Sequence, residues 1–219
     1  MEVPDAAALK ARHREIRDGQ PEALRVRIHR ALSWLQRAEQ ESDDPDLRLV
    51  LLWIALNAAY AREFGREERE RDRAAAFFAQ VVALDTQGRL HAALFDRFSG
   101  PIRGLVENRF AYEPFWTALR MHDSSGEWER SFASSRKLAT RAVVMRDTAL
   151  VLSIVFDRLY VLRNQLVHGG ATWNSQANRA QLRDGAAILG TLVPLLLELM
   201  MEHPGEDYGD VLYPVVGNW

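Results

Sequence analysis

The chain has 219 residues, of which 47% are hydrophobic and 26% charged, and its formal net charge is −2. These are values of a folded globular chain, which excludes a disordered or fibrous class, and the near-neutral charge excludes a globally basic nucleic-acid binder. With no cysteine, disulfides, thiolate metal sites, iron–sulfur clusters and thiol nucleophiles are excluded together. Arginine makes up 26 of the 28 basic residues, Lys10 and Lys137 being the exceptions. That bias reads first as codon usage, although each guanidinium is also a planar fork suited to phosphate.

The N-terminal segment, MEVPDAAALKARHREIRDGQ, is charged throughout and lacks the apolar core of a signal peptide. The richest apolar stretch, Leu192 to Met201, contains Pro194 and Glu198 and is too short to span a bilayer. A cytoplasmic protein without membrane contact is the expectation. Helical periodicity begins at about 21–41, where Pro21 suits a first turn and Leu24, Ile28, Leu32, Leu35 and Ala38 form a stripe. Ser42-Asp43-Asp44-Pro45 then supplies a stop, a cap and a first-turn proline for a second helix over about 45–64. The short connection implies an antiparallel pair.

Residues 65–139 are less regular. The run Gly65 to Arg73 reads as a solvated helix start of mixed charge. Short helical pieces are expected near 74–84, 87–98 and 113–121, with breaks at Ser99-Gly100-Pro101 and Glu113-Pro114. A long helix is predicted from Leu138 to His168, ended by Gly169-Gly170, and a fourth from about Asn174 to Glu202, bent at Pro194. The tail from 204 to 219 is expected to lie extended across the bundle. No alternating strand pattern occurs. The fold class is therefore all-α: a single domain over 1–219, an antiparallel four-helix bundle (about 21–64 and 140–203) with an inserted helical cap at 65–139.

The stretch with chemical content is Tyr160-Val161-Leu162-Arg163-Asn164-Gln165-Leu166-Val167-His168-Gly169-Gly170. Asn164 and His168, four apart, share a helix face, whereas Arg163 and His168 are five apart and ideally ~140° from each other. Imidazole titrates near neutrality and can move a proton. A guanidinium can hold a phosphate oxygen and balance charge developing in a phosphoryl transition state. An amide can orient either group. The spacing alone is not specific; its place at the end of a bundle helix, with Asn after the Arg and two glycines after the His, gives it weight.

In that context the segment resembles the R-x(4–6)-H motif of the HEPN superfamily (higher eukaryotes and prokaryotes nucleotide-binding domains), helical bundles many of which are metal-independent ribonucleases. Leu52-Trp53-Ile54-Ala55-Leu56-Asn57-Ala58-Ala59-Tyr60 and the Gly169-Gly170-Ala171-Thr172-Trp173 turn are similar to bacterial members of unassigned role. The chain departs from the toxin subgroup at Gly170, where that subgroup commonly carries a Tyr. The resemblance implies catalytic Arg163 and His168, a supporting Asn164, and a homodimer whose facing motif helices form the cleft. It further implies an RNA substrate, a role in defence or stress response, and an antitoxin-like protein partner. The alternative it leaves open is a catalytically inactive module that binds RNA, a nucleotide or a protein.

Trp53, Asn57 and Tyr60 fall at i, i+4 and i+7, either a core stripe or a support for the Arg163–His168 pair. Asn57, Tyr60, Trp173 and Arg179 are the candidate substrate-binding or supporting residues, and Asn178-Arg179 with Arg183-Asp184 could extend a phosphate track. No metal is expected, because His13, His29, His91, His122 and His203 lack a ligand spacing such as H-E-x-x-H. No cofactor is expected either: Walker, dinucleotide and nucleophile-elbow motifs do not occur.

Overall fold

The computed structural model describes residues 3–61 and 70–215, and every regular element among them is helical. In chain order these are α1 (Ala6–Ile16), α2 (Glu22–Glu39), α3 (Pro45–Tyr60), α4 (Glu70–Leu84) and the short α5 (Arg89–Ala92), which runs into a π turn at Ala93–Arg97. There follow α6 (Ser99–Glu107), a 3-10 turn at Arg109–Ala111, α7 (Glu113–Arg120), α8 (Glu127–Val144), α9 (Thr148–Val167) and α10 (Arg179–Glu202).

The local signals act as their chemistry requires. Asp44 accepts hydrogen bonds from the N–H groups of Asp46 and Leu47, both at 3.0 Å, satisfying two donors that the first turn of α3 cannot pair internally. α2 and α3 are antiparallel: Arg27, near the start of α2, reaches the carbonyls of Ala59 and Ala61 at the end of α3, 3.3 and 2.5 Å away. α9 also runs antiparallel to α3, with Phe156 against Tyr60 and Arg163 over Trp53. α10 lies parallel to α3, so that Arg179 meets Asp46 while Gly190 faces Arg48 and Leu52. Among the described residues α10 is the one helix long and apolar enough to cross a membrane, but 78% of its apolar stretch is buried inside the bundle.

Four differences from the sequence expectation have identifiable causes. The N-terminal segment forms α1, capped by Asp5 and buried through Ala6, Leu9 and His13; Leu9 is the one large apolar side chain of that face, so the apolar stripe is faint. Ser99-Gly100-Pro101 follows the expected break, which falls at Phe98, but forms the first turn of α6 and not a loop, because a proline in the first turn removes only an N–H that has no intrahelical partner. The long helix expected from Leu138 to His168 is two helices, broken where Arg146 takes φ +53° and Asp147 caps α9. The last helix begins at Arg179, after a turn in which Asn174 and Asn178 take φ of +56° and +55°.

The expected cap at 65–139 is not uniform. Residues 62–69, including most of the 65–73 charge run, lie outside the described residues. α4 belongs to the bundle: Phe77 and Phe78 join the core and meet Tyr60 and Phe156 at ring distances of 5.9 and 5.7 Å. α7 and α8 form the peripheral layer, held together by Phe115 against Trp128 and Tyr112 against Phe132. The tail lies along α2, where Arg27 donates to the carbonyls of Gly209 and Asp210 at 3.1 and 2.7 Å and Arg30 to that of Tyr213 at 2.6 Å.

Candidate functional site

The motif occupies the last turns of α9. Arg163 is half-buried, its guanidinium 5.4 Å from the ring centre of Trp53 and 5.6 Å from that of Tyr160. Stacking a cation on two rings in this way is favourable and fixes its plane. One fork nitrogen donates to the side-chain oxygen of Asn164 at 2.7 Å. Among the described residues no carboxylate pairs with Arg163.

Trp53 is positioned in turn by stacking on Phe156, with centroids 4.7 Å apart and planes 27° from parallel. The indole Nε1 of Trp53 and the side-chain oxygen of Asn57 are both buried without a hydrogen bond among the described residues. Asn57 is therefore half-buried beside the supporting ring, one turn away on α3. Tyr60 sits deeper: it is buried and its ring meets Phe77 and Phe156, which makes it a core residue.

His168 ends the helix. Its backbone N–H still donates to the carbonyl of Asn164, but at φ −95°, ψ 13° it has left helical geometry. Gly169 then takes φ +67°, a left-handed conformation in which a residue without Cβ avoids a steric penalty. The imidazole is exposed and makes no hydrogen bond among the described residues, to Arg163 or to any other group. The ideal ~140° between the two positions is not closed by a contact.

The turn after His168 is strapped to the start of α3. Trp173, though 71% exposed, donates from its indole to Asp44 at 2.8 Å. The Asn174 N–H and both fork nitrogens of Arg179 converge on Asp46, at 2.8, 2.9 and 3.1 Å. Burial raises the pKa of Asp44, but bonds from Leu47, Trp173 and Asp46 outweigh it and hold the carboxyl below its ordinary range. Arg179 is thus fully engaged with a buried carboxylate and serves as an anchor of the turn, leaving little of it for a phosphate track.

Of the residues that join the motif to the peripheral layer, sequence reasoning named Asn178, but for a phosphate track, and missed Asn108 and the role of Gln165. Gln165 donates to the carbonyl of Phe110 at 2.7 Å and accepts from Asn178 at 3.1 Å, while Asn108 donates to Asn178 at 3.0 Å. The one signal that could have found them is the aromatic and arginine interleaving of Arg109-Phe110-Ala111-Tyr112-Glu113-Pro114-Phe115-Trp116. Nearby, Arg158 is buried between Tyr112 and Phe132 and donates to Ser135 at 2.9 Å. Burial pushes its guanidinium down to about 10.

Among the described residues no group of three or more His, Asp or Glu is placed to hold a metal ion. No protein-family model, curated protein or solved structure matches this chain.

Proposed function

We propose that the chain is a HEPN-like, metal-independent endoribonuclease that works as a homodimer, with Arg163 and His168 as its catalytic groups and Asn164 in support. The observation that carries this reading is the state of Arg163. Its guanidinium is fixed by two rings and an amide yet has no carboxylate partner among the described residues, which is the preparation expected of a group awaiting phosphate. The imidazole of His168 is exposed at the same helix end, where it can give or take a proton. Because neither group contacts the other, a second protomer would complete the site.

In this mechanism His168 of one protomer takes the proton from an RNA 2′-hydroxyl, and that oxygen forms a bond to the adjacent phosphorus. The bond from phosphorus to the 5′-oxygen breaks, and His168 of the second protomer returns a proton to the leaving oxygen. Arg163 balances the negative charge on the phosphate oxygens, and the product carries a 2′,3′-cyclic phosphate.

One observation favours the silent-module reading instead. A catalytic imidazole is ordinarily oriented by a hydrogen bond to its second nitrogen, and His168 has none among the described residues. The two readings separate when wild-type protein and His168→Ala are incubated with a mixed RNA pool in the presence of chelator. Cleavage by wild type alone, leaving cyclic ends, is the expected result. Equal activity in both proteins removes His168 as catalyst, and folded, inactive wild type moves the assignment to a binding module.

A further inference from the structure

Beside the motif helix stands a ring held in solvent by more bonds than its burial can account for. Phe110 is 37% exposed. Its N–H donates to the side chain of Asn108 at 2.9 Å, and its carbonyl accepts from both Trp116 Nε1, at 2.8 Å, and Gln165, at 2.7 Å. Edge contact with Phe115, at 5.4 Å and 85°, fixes the ring itself. Both backbone groups of an exposed aromatic residue are thus locked by side chains from the 3-10 turn, α7 and α9.

Over this ring lies a cation. The Arg109 guanidinium is 5.0 Å from the Phe110 centroid and 5.7 Å from that of Phe115, and no carboxylate among the described residues pairs with it. The nearby carboxylate of Glu113 is paired with Arg120 at 2.9 Å. The face therefore combines a partly exposed ring with a guanidinium that has no carboxylate partner among the described residues. Gln165, whose amide grips Phe110, is three residues before His168 on α9, so the two positions lie about 60° apart around the helix.

Rigid rings with an adjacent arginine are the elements by which proteins hold unpaired nucleic acid: the ring stacks a base and the guanidinium takes the base plane or the phosphate. A duplex, whose bases are stacked on each other, cannot use such a ring. We propose that Phe110 and Arg109 form a stacking platform for a base of single-stranded RNA next to the Arg163–His168 site. This rests on the RNA-directed reading above and adds to it the two residues outside the motif that hold a base beside it.

The test uses full-length protein carrying His168→Ala, so that binding is read without cleavage. Affinity for a fluorescently labelled single-stranded RNA and for the same sequence as duplex is measured by anisotropy. Arg109→Gln alters only an exposed side chain, and Phe110→Leu keeps the apolar packing while removing the π face. Each is expected to weaken single-strand binding roughly tenfold, the scale of one lost stacking contact, without a matching loss for duplex. Unchanged single-strand affinity in both variants overturns the platform, as does an equal loss for duplex. Absence of single-strand binding by the His168→Ala protein overturns it too. The cleavage comparison of wild type with His168→Ala judges the catalytic reading separately, so a failed platform and a failed ribonuclease assignment give different results.

Discussion

His13 shows how one residue can carry a pH dependence. It is buried on α1, its Nε2 has no hydrogen bond among the described residues, and burial lowers its pKa, with His29, Arg17 and Arg25 adding to the effect. The unfolded chain therefore binds a proton at His13 more readily than the folded chain does. Its folded pKa lies below the ordinary 6.5, so native stability is intact above that value and declines as pH falls from 6.5 toward the depressed one. In urea titrations at about pH 7.5 and about pH 5, wild type is expected to lose more stability on acidification than His13→Leu. Parallel losses in the two proteins would assign the pH dependence to other groups. Arg163 and Arg179 make a different point. Both looked like phosphate ligands from the chain alone, yet Arg179 is paired with Asp46 while Arg163 rests on rings with no carboxylate among the described residues. Tyr160 and Asn164 lie beside Arg163 on α9, but the partners that separate the two fates, Trp53 and Asp46, both come from α3.

At the scale of elements, the approach of α9 to α10 depends on Gly185. A Cβ built there would stand 2.6 Å from Cδ2 of Leu159 and 3.5 Å from Cδ1 of Leu49. Leu159 and Leu49 are both fully buried, so neither can swing into solvent to make room. Alanine would favour the helix by about 1 kcal/mol, but overpacking at a closed contact costs about 1–3 kcal/mol. Gly185→Ala is thus expected to lower thermal stability, and an unchanged or raised melting temperature would mean that the two helices can separate at little cost. The helices with strong apolar stripes were legible: α2 and the start of α3 lie where the periodicity and the Asp44 cap put them. The break between α8 and α9 was not, because Met145-Arg146-Asp147 holds neither glycine nor proline and the apolar pattern runs through it.

At the scale of the molecule, the tail is joined to the bundle through Arg27. This buried guanidinium links two carbonyls near the end of α3 to those of Gly209 and Asp210. Carbonyls at a helix end lack internal partners and attract a cation, so one side chain serves both the helix terminus and the strap. Arg27→Met is expected to destabilise the protein by about 2–5 kcal/mol, since buried acceptors lose their donor, and to speed proteolysis within the tail. Protection of the tail equal to wild type would show that Tyr208, buried against the core, suffices to hold it.

The sequence by itself determined the all-α class, the α2–α3 hairpin, the end of the motif helix at Gly169 and the adjacency of Arg163 and Asn164. Periodicity, caps and glycine conformations are local properties, written within a few residues of where they act. Only the tertiary structure decided that α4 belongs to the bundle, that Tyr60 lies in the core, and that Trp173 and Arg179 anchor a turn to α3. It alone brought Phe110 and Arg109 to the side of the motif helix, 55 residues away from Gln165 in the chain. Those outcomes depend on which faces meet, and a contact between distant segments is set by the packing of whole helices, which no short stretch of sequence encodes.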